Sequence, residues 1–475
     1  MKRKMINRIV NILLCVAMLL SLNGCSSNSA TTNKETDKNQ VTKIEPMEIE
    51  EVDTYGFDFL GGTEVMPIGG FYGPMPSTKS VNGIAMPDYV TDEYFEMIAD
   101  CGVNLITYSL TDYEDAPNYM IKMLELGEKY GVGITVGDGG ISYRDEDLSL
   151  EKVDARLKEY MDYDAFCGVY VIDEPGSATY AGPSGVMISD VAKKMTILSE
   201  LGVWTYGNLL PCYNESYRDK YDSYVEEWLS TCNPPMLMWD HYVHDEGVQE
   251  VDYFYSLSIG REKAAKYDIP FWVFIQAGSH WTAAGQDTPD YFPNEAELMW
   301  NVNTSLAYGA KGIAYFPLLQ PNDFAPAESK PYDFERNGLI GASGNKNRWW
   351  YYAQNMNKQI AAVDEVLMNS VNKGVIVTSD QAKKDNGDSS CIMEGKSWRE
   401  LTNITGDVMV GCFNYQGKSA YYVVNYDMEY AQNITMEFYD ECNFTVIQNA
   451  ETSKLQGNGM ELTMAPGEGV LVVME

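Results

Sequence analysis

The chain has 475 residues, with 69 acidic and 34 basic side chains and a formal charge of -35 at neutral pH. At roughly 150 residues per domain, this length suits two domains, or one large barrel with a smaller partner. A hydrophobic content of 45% provides enough apolar side chains for a sizeable core, which excludes wholesale disorder. The strongly negative charge repels polyanions and therefore argues against nucleic acid as a partner.

The first 24 residues have the pattern of a targeting signal. Basic residues at positions 2, 3, 4 and 8 precede the mostly apolar run Ile9–Leu22, which is too short to span a bilayer. The run ends in Leu22-Asn23-Gly24-Cys25, which resembles the bacterial lipobox. The resemblance implies that Cys25 is diacylated and anchors the protein to the extracytoplasmic face of the cell membrane. The alternative is a plain secretory signal peptide followed by an incidental cysteine.

Residues 25–55 are polar and lack apolar periodicity, which predicts a flexible tether. The cysteines beyond Cys25 have no CxxC spacing, so zinc-ribbon and thioredoxin-type redox motifs are absent from the sequence. Two alternatives remain open for these cysteines: either Cys212 and Cys232 form a disulfide, or the thiols are buried and free.

Between about residues 64 and 321, short apolar runs alternate with amphipathic helical segments, several of which end in Gly just before the next run. Eight such units predict a (β/α)8 TIM barrel over residues 56–368. An open doubly wound sheet is the rival architecture, but no GxGxxG motif follows the first run. The predicted strands are Val65–Phe71, Val103–Leu110, Val132–Asp138, Gly168–Glu174, Trp204–Leu210, Met236–Tyr242, Phe271–Gln276 and Gly312–Leu318.

The pattern changes after a long helical segment around Trp349–Asn369. From about residue 373, apolar residues alternate with period two in short runs that are separated by Asn, Gly and Asp. This alternation predicts strands with one buried face. Residues 369–475 are therefore predicted to form an antiparallel β-sandwich domain.

Active sites of TIM barrels lie at the carboxyl ends of the strands. The fourth predicted strand ends in Asp173-Glu174-Pro175 after the apolar run Val169–Ile172, and the proline ends the strand. A carboxyl group at the edge of an apolar barrel is partly desolvated, and desolvation raises its pKa toward the range of a general acid. Glu174 is therefore predicted to be the general acid/base. The structural alternative is a Glu that pairs with an Arg of a neighbouring loop.

The barrel, the strand-4 carboxylate before proline and the β-domain together resemble TIM-barrel glycoside hydrolases. One group is the clan of retaining β-glycosidases that includes the family 42 β-galactosidases, in which Asn-Glu-Pro on strand 4 carries the acid/base. Asp173-Glu174-Pro175 is similar, with Asp in place of Asn. That clan has its nucleophilic Glu at the end of strand 7, where this chain has Gln276, and an amide cannot form a glycosyl ester. The second carboxylate then comes from Asp240 or Asp138, or none is needed.

A second group consists of hexosaminidases that use the acetamido group of the substrate as nucleophile, such as family 123. Their Asp-Glu pair resembles Asp173-Glu174, which implies that Asp173 orients the acetamide and Glu174 protonates the leaving oxygen. Adjacent residues of a regular strand face opposite sides, so both carboxyls reach one site only if the strand bulges or ends there. Pro175 is consistent with such an ending.

Further polar and aromatic residues follow the predicted strands, where sugar hydroxyls and sugar rings would contact them. Phe71, Tyr72, Trp349 and Trp350 are instead predicted to be packing residues. The chain has three histidines and no HxH motif, so neither a metal nor a cofactor is predicted. The sequence predicts a glycoside hydrolase that acts on an extracellular carbohydrate, with a non-catalytic surface glycan-binding lipoprotein as the alternative. The predicted substrate-binding residues are Asp138, Asn208, Trp239, His241, Tyr242, Gln276, Trp281 and Tyr108.

Overall fold

Parallel strands form the barrel that the sequence predicts. The computed structural model describes residues 44–50, 56–76, 87–108, 116–141, 147–244, 250–278, 292–320, 337–387 and 389–475. The signal peptide, Cys25 and most of the predicted tether lie outside these residues. The barrel strands are β1 (Ile68–Gly70), β2 (Leu105–Ile106), β3 (Gly133–Val136), β4 (Phe166–Asp173), β5 (Thr205–Asn208), β6 (Leu237–Trp239), β7 (Phe271–Gln276) and β8 (Ile313–Phe316).

The barrel closes between β5 and β6. Hydrogen-bonded pairing runs in the order β5-β4-β3-β2-β1-β8-β7-β6. A single parallel bridge between Leu209 and Trp239 joins the two ends of this sheet. The Leu209 N–H donates to the Met238 carbonyl at 2.9 Å, and the Asp240 N–H donates to the Leu209 carbonyl at 3.4 Å. The prediction of a (β/α)8 barrel is confirmed.

One helix follows each barrel strand in the chain, so the helices surround the sheet as the alternating sequence pattern predicts. They are α1 (Asp92–Asp100), α2 (Ala116–Tyr130), α3 (Leu150–Leu157), α4 (Ile188–Glu200), α5 (Arg218–Cys232), α6 (Glu250–Tyr267), α7 (Glu295–Ala307) and α8 (Arg348–Met368). Within the described residues, no helix is long and apolar enough to cross a membrane.

Aromatic side chains fill the barrel interior. Near the amino ends of the strands, the rings of Trp204 and Trp272 lie 5.5 Å apart, and Phe57 contacts Trp204 edge-on at 4.9 Å. Tyr206 and Phe274 continue this packed column toward the other end. The interior is therefore a solid core, and a substrate reaches the barrel only at its mouth.

The C-terminal region forms an antiparallel sheet, as predicted. Its order is β10-β13-β15-β12-β11-β9, and β14 pairs with β13. A short helix, α9 (Asp380–Asp385), follows β9. The strands are β9 (Ser370–Val377), β10 (Leu401–Ile404), β11 (Val408–Tyr415), β12 (Lys418–Asn425), β13 (Gln432–Gln448), β14 (Glu451–Met464) and β15 (Gly469–Met474).

The long strand β13 lets this sheet enclose its own core. Its first half pairs with β10, its second half pairs with β15, and the register with β14 shifts between Glu437 and Cys442. Side chains of both halves, including Met436 and Phe444, join one buried apolar cluster. On the barrel side, Asn303 of the buried helix α7 donates to the Gly467 carbonyl at 2.8 Å. This helix therefore joins the two domains.

The described cysteines are free thiols. Cys212 contacts the Asn214 carbonyl at 3.6 Å, whereas Cys232 contacts the Ile188 carbonyl at 3.8 Å. Of the two alternatives that the sequence leaves open, the structure has buried free thiols.

Candidate active site

A bulge in β4 turns Asp173 toward the barrel mouth. The pairing register between β4 and β5 shifts between Tyr170 and Ile172, which leaves Val171 as an extra residue. Tyr170 belongs to the interior cluster, whereas Val171 and Ile172 both pack in the outer cluster beneath the helices. Because a bulge resets the alternation of side chains, the next residue faces the interior again. Asp173 therefore follows Tyr170 on the inner face, and its side chain is exposed.

The backbone at Glu174 brings the second carboxyl to the same mouth. Glu174 has φ 44°, in the left-handed region, directly after the strand ends at Asp173. Its N–H donates to the Asn208 carbonyl at 2.9 Å, and its carbonyl accepts from Ser184 Oγ at 3.0 Å. Non-glycine residues rarely adopt this conformation, so these bonds hold a strained backbone at the site. The strand ending that the Asp-Glu interpretation requires is therefore present.

Asn208, at the end of β5, connects two carboxylates. Its Nδ2 donates to Asp173 Oδ1 at 3.0 Å and to Asp240 Oδ1 at 3.2 Å. Asp240 follows β6 and is buried, and its charge raises the pKa of Glu174. Asn208 Oδ1 is buried and has no hydrogen-bond partner among the described residues. The structure thus gathers Asp173, Glu174, Asp240 and Asn208 into one cluster.

Burial and mutual repulsion raise the pKa values of this cluster. For Glu174, burial is the largest cause, followed by the charges of Asp240 and Asp173, and they hold its pKa well above the usual value of a carboxyl. Asp173 is exposed at the mouth, but the surrounding protein still desolvates its carboxyl group. This desolvation, and then the charge of Asp240, raise its pKa to about 7, against the opposing hydrogen bond from Asn208. Ionising all of these neighbouring carboxyl groups costs free energy, because their negative charges repel each other. The cluster therefore favours retention of a proton at neutral pH.

Asp173→Asn is expected to stabilise the folded protein, and more at pH 8 than at pH 5. The folded pKa of about 7 exceeds the ordinary value of 3.8, so the folded protein binds more protons between these values. The free energy of unfolding therefore falls as pH rises from about 4 to about 7, and the loss is complete above pH 7. Asparagine has no ionised form. Because solvent screens the exposed side chain, we expect a gain of only about 2–4 °C in Tm at pH 8 by thermal denaturation. An equal increase in Tm at pH 5 and pH 8 would show that the ionisation of Asp173 does not cause the stabilisation.

Aromatic rings surround the carboxyl cluster. Tyr108 stacks on Phe71 at 4.8 Å and lies 4.7 Å from Tyr170, and Tyr242 lies 5.3 Å from Phe316. The charges of Asp240, Glu174 and Asp173 all contribute to the raised pKa of Tyr242, after burial. Tyr108 and Tyr242 are half-buried, so each has an accessible surface at the mouth. The structure therefore brings both of these predicted sugar-binding residues to the site.

Trp239 and His241 lie away from the site, contrary to the prediction. The Trp239 ring packs against Gly260 of α6, where a Cβ atom would lie 2.1 Å from the ring, and it stacks on Phe271. His241 Nδ1 contacts Ser256 Oγ at 3.2 Å, and burial lowers its pKa to about 3. Along β6 and its continuation, side chains alternate between the interior and the helices. These two residues fall on the helix side.

Asp138 is also a structural residue rather than a substrate ligand or a second carboxylate. Its Oδ2 accepts from Arg156 Nε at 2.7 Å and from the Tyr160 hydroxyl at 2.9 Å, and its Oδ1 accepts from the Gly140 N–H at 2.7 Å. Both oxygens are thereby used, and the side chain is buried. Asp138 ties the loop after β3 to α3.

Gln276 lies at the end of β7, as predicted, but its amide binds neighbouring loops. Its Nε2 donates to the Gly278 carbonyl at 3.2 Å, and its Oε1 accepts from the His244 N–H at 3.2 Å. The residue is buried at 1% exposure, which hides it from a ligand. Trp281 and the neighbouring His280 lie outside the described residues.

Two tyrosines at the site were not among the predicted ligands. Tyr72 has φ 62°, and the charges of Asp173 and Glu174 help burial to raise its pKa. Tyr213 is 49% exposed, and after burial the charges of Glu174 and Asp240 contribute most to its raised pKa. Both residues follow strands, β1 and β5. Position after a barrel strand was the available signal, because the βα loops of TIM barrels form the site.

No protein-family model and no curated protein sequence matches the chain. Among solved structures, one described as a glycoside hydrolase has 13% identity and a TM-score of 0.53, covering 91% of this chain and 97% of its own. A β-galactosidase from Bacillus circulans sp. alkalophilus has 9% identity and a TM-score of 0.54, covering 87% and 99%. A family 5 glycoside hydrolase from Bacteroides vulgatus has 13% identity and a TM-score of 0.50, covering 90% and 94%. At such identities, the likeness establishes a shared fold.

Proposed function

We propose that this protein is a glycoside hydrolase that uses Glu174 as its general acid/base. The observation that carries the proposal is the carboxyl cluster at the mouth, in which burial and two neighbouring carboxylates keep Glu174 protonated at neutral pH. A protonated carboxyl can donate to the glycosidic oxygen as the C–O bond breaks, and the resulting carboxylate can then accept a proton from water. The shared fold with solved glycoside hydrolases supports the same activity.

Burial and charge help to assign the second role. The charge of Asp240 is the largest neighbouring charge that raises the pKa of Glu174. Asp240 is also buried, whereas Asp173 is exposed at the mouth. We therefore assign Asp240 the role of holding the proton on Glu174, and Asp173 the role of acting on the substrate.

This assignment favours hydrolysis with the substrate's own acetamido group as nucleophile. Asp173 would accept a hydrogen bond from the acetamide N–H while the acetamide oxygen attacks the anomeric carbon. Glu174 would protonate the leaving oxygen and then deprotonate the water that opens the cyclic intermediate. Asn208 Nδ2 holds Asp173 in place by donating to its Oδ1.

The direct test is sugar release by the purified protein and its Glu174→Gln variant from natural oligosaccharides of 2-acetamido and 2-hydroxy sugars. If the wild-type protein releases sugar and Glu174→Gln does not, the result supports acid catalysis by Glu174. If the wild-type protein cleaves only 2-acetamido sugars, the result supports the proposed role of Asp173 in orienting the acetamide. Binding of the same sugars is measured in parallel by calorimetry. If neither protein turns over any substrate while both bind a glycan equally well, the protein is a glycan-capture lipoprotein and the proposal is wrong.

We also propose that Cys25 carries a lipid and anchors the enzyme to the extracytoplasmic face of the cell membrane. The lipobox-like sequence Leu22–Cys25 after a basic and apolar leader supports this location. Full-length protein expressed in a bacterial host should incorporate radiolabelled palmitate and partition into detergent. Cys25→Ala should lose both properties, because the acceptor thiol is gone. Unchanged labelling of the variant would show that Cys25 is not the lipidation site.

A further inference from the structure

A polar cleft opens beside the barrel mouth and extends to the C-terminal domain. We call it the α9 cleft. Its volume is about 670 Å³, within the range of about 300–1,000 Å³ that is typical of small-molecule sites. The barrel contributes the loop after β5 and the starts of α5 and α6, and the C-terminal domain contributes α9. Lining residues from these four elements include Tyr213, Arg218, Asp252, Gln381 and Lys384.

Tyr213 forms a wall between the α9 cleft and the catalytic carboxyls. Its ring lines the cleft, while the charges of Glu174 and Asp240 act on its hydroxyl. An aromatic ring with 49% exposure at this position presents a face on which a sugar ring can stack. A saccharide that extends from Glu174 into the α9 cleft would have to pass Tyr213.

The barrel side of the α9 cleft is preformed. The Tyr213 ring lies nearly parallel to the buried Tyr180 ring, 6.5 Å away, and Tyr217 contacts it edge-on at 6.2 Å. The next residue, Asn214, caps a short helical turn by accepting from the Ser216 N–H at 3.0 Å. Below them, Arg218 pairs with the buried Asp252 at 2.8 Å. These contacts fix the wall before a ligand arrives, which reduces the entropy lost on binding.

Helix α9 forms the opposite wall of the cleft and is held in place by hydrogen bonds, but its lysine side chains are exposed. Asp385 of α9 is buried and accepts from the Tyr426 hydroxyl at 2.8 Å and from Gln381 Nε2 at 2.7 Å. Lys384 is exposed and lines the cleft, whereas its neighbour Lys383 is exposed and does not line it. The ammonium group of Lys384 can donate to sugar hydroxyls. The two lysines therefore form a matched pair for an experiment.

The charge of the α9 cleft selects the kind of saccharide. Glu215 and Glu250 line it as well, and the whole chain has a formal charge of -35. Uronic acids and sulfated sugars would be repelled, whereas neutral hydroxyl and acetamido groups would find donors and acceptors.

We propose that the α9 cleft is an extended subsite for neutral oligosaccharides, in which the C-terminal domain binds sugar units beyond those at Glu174. The inference deepens the proposed hydrolase function and rests on it. It predicts that longer chains bind more tightly than short ones and that α9 carries part of this preference. The C-terminal domain would then determine chain-length specificity in addition to packing against the barrel.

The test measures binding to Glu174→Gln protein by calorimetry, with the disaccharide and tetrasaccharide of each of four series. The probes are the β1,4-linked oligomers of N-acetylglucosamine, galactose, glucose and mannose. We expect at least one tetrasaccharide to bind about tenfold more tightly than its disaccharide, and Lys384→Ala to reduce that ratio about fivefold, as the loss of one charge-assisted hydrogen bond implies. Lys383→Ala is the matched control and should leave the ratio unchanged.

Turnover by the wild-type protein on the same sugars separates the two proposals. A tetrasaccharide preference that Lys384→Ala reduces, without any turnover, would support the α9 cleft and refute the hydrolase. Turnover without a length preference would support the hydrolase and refute the cleft. The inference is also overturned if no tetrasaccharide binds, or if the two lysine variants have the same ratio.

Discussion

Glu174→Gln is expected to reduce kcat/KM for natural oligosaccharides by about a hundredfold or more, the usual contribution of a general acid. A sugar alkoxide is a poor leaving group, so the departing oxygen needs the proton that Glu174 carries. Glutamine has nearly the same shape and can still accept the hydrogen bonds of the site, but it has no acidic proton. The measurement is steady-state release of sugar from a natural oligosaccharide that the wild-type protein cleaves.

The matched substrate is an aryl glycoside of the same sugar with a 2,4-dinitrophenyl leaving group. That phenolate departs without protonation, so the first bond cleavage should be far less affected by Glu174→Gln. A pronounced difference between the two substrates is the signature of a lost acid. An equal loss on both substrates would instead indicate that Glu174 supports the structure of the site.

The pH dependence of the wild-type enzyme should follow from the same proton. Burial and the charges of Asp240 and Asp173 raise the pKa of Glu174, so the acid form persists through neutral pH. The proposed mechanism requires that acid form, so activity should decline on the alkaline side, as pH rises through the pKa of Glu174. A lone exposed carboxyl would lose its proton near pH 4 and could not act as an acid at neutral pH.

The barrel and the β-domain could be predicted from the sequence, because each depends on periodicity. The alternation of side chains along a strand also predicts which residues at the end of β6 and just after it face the barrel interior. Asp240 and Tyr242 share the interior face, whereas Trp239 and His241 face α6. The sequence prediction placed all four residues at the site, although side chains alternate with a period of two along a strand. In the structure, only two of the four face the barrel interior.

Other features depend on contacts that no local pattern reveals. The bulge at Val171 inverts the alternation of β4, and only this inversion brings Asp173 to the mouth. Asp138 is withdrawn from the site by Arg156 and Tyr160 of the following segment, a pairing that exists only after the chain folds. Tyr213 lies in a loop, where periodicity gives no information about the direction of a side chain.

Asp240→Asn should shift the pH–rate profile, whereas Asp173→Asn should reduce kcat. This difference tests the roles assigned to the two carboxylates. Asp240 contributes the largest neighbouring charge to the raised pKa of Glu174. Its removal lowers that pKa, so the alkaline limb of the pH–rate profile should move to lower pH while much of the activity at pH 5 is retained. Asp173→Asn should reduce kcat for 2-acetamido substrates by about a hundredfold or more above pH 7, where Asp173 is ionised, because the group that orients and stabilises the reacting acetamide is lost.

The measurement is the pH–rate profile of both variants from pH 4 to 9 on one 2-acetamido substrate and one 2-hydroxy substrate. If Asp240 is instead a nucleophile, Asp240→Asn loses activity at every pH, and a small carboxylate such as formate restores it by entering the vacated position. In that case, a covalent glycosyl intermediate needs about 5–5.5 Å between the carboxyls of Glu174 and Asp240. A shift of the alkaline limb without loss at low pH is compatible only with Asp240 acting through the proton on Glu174.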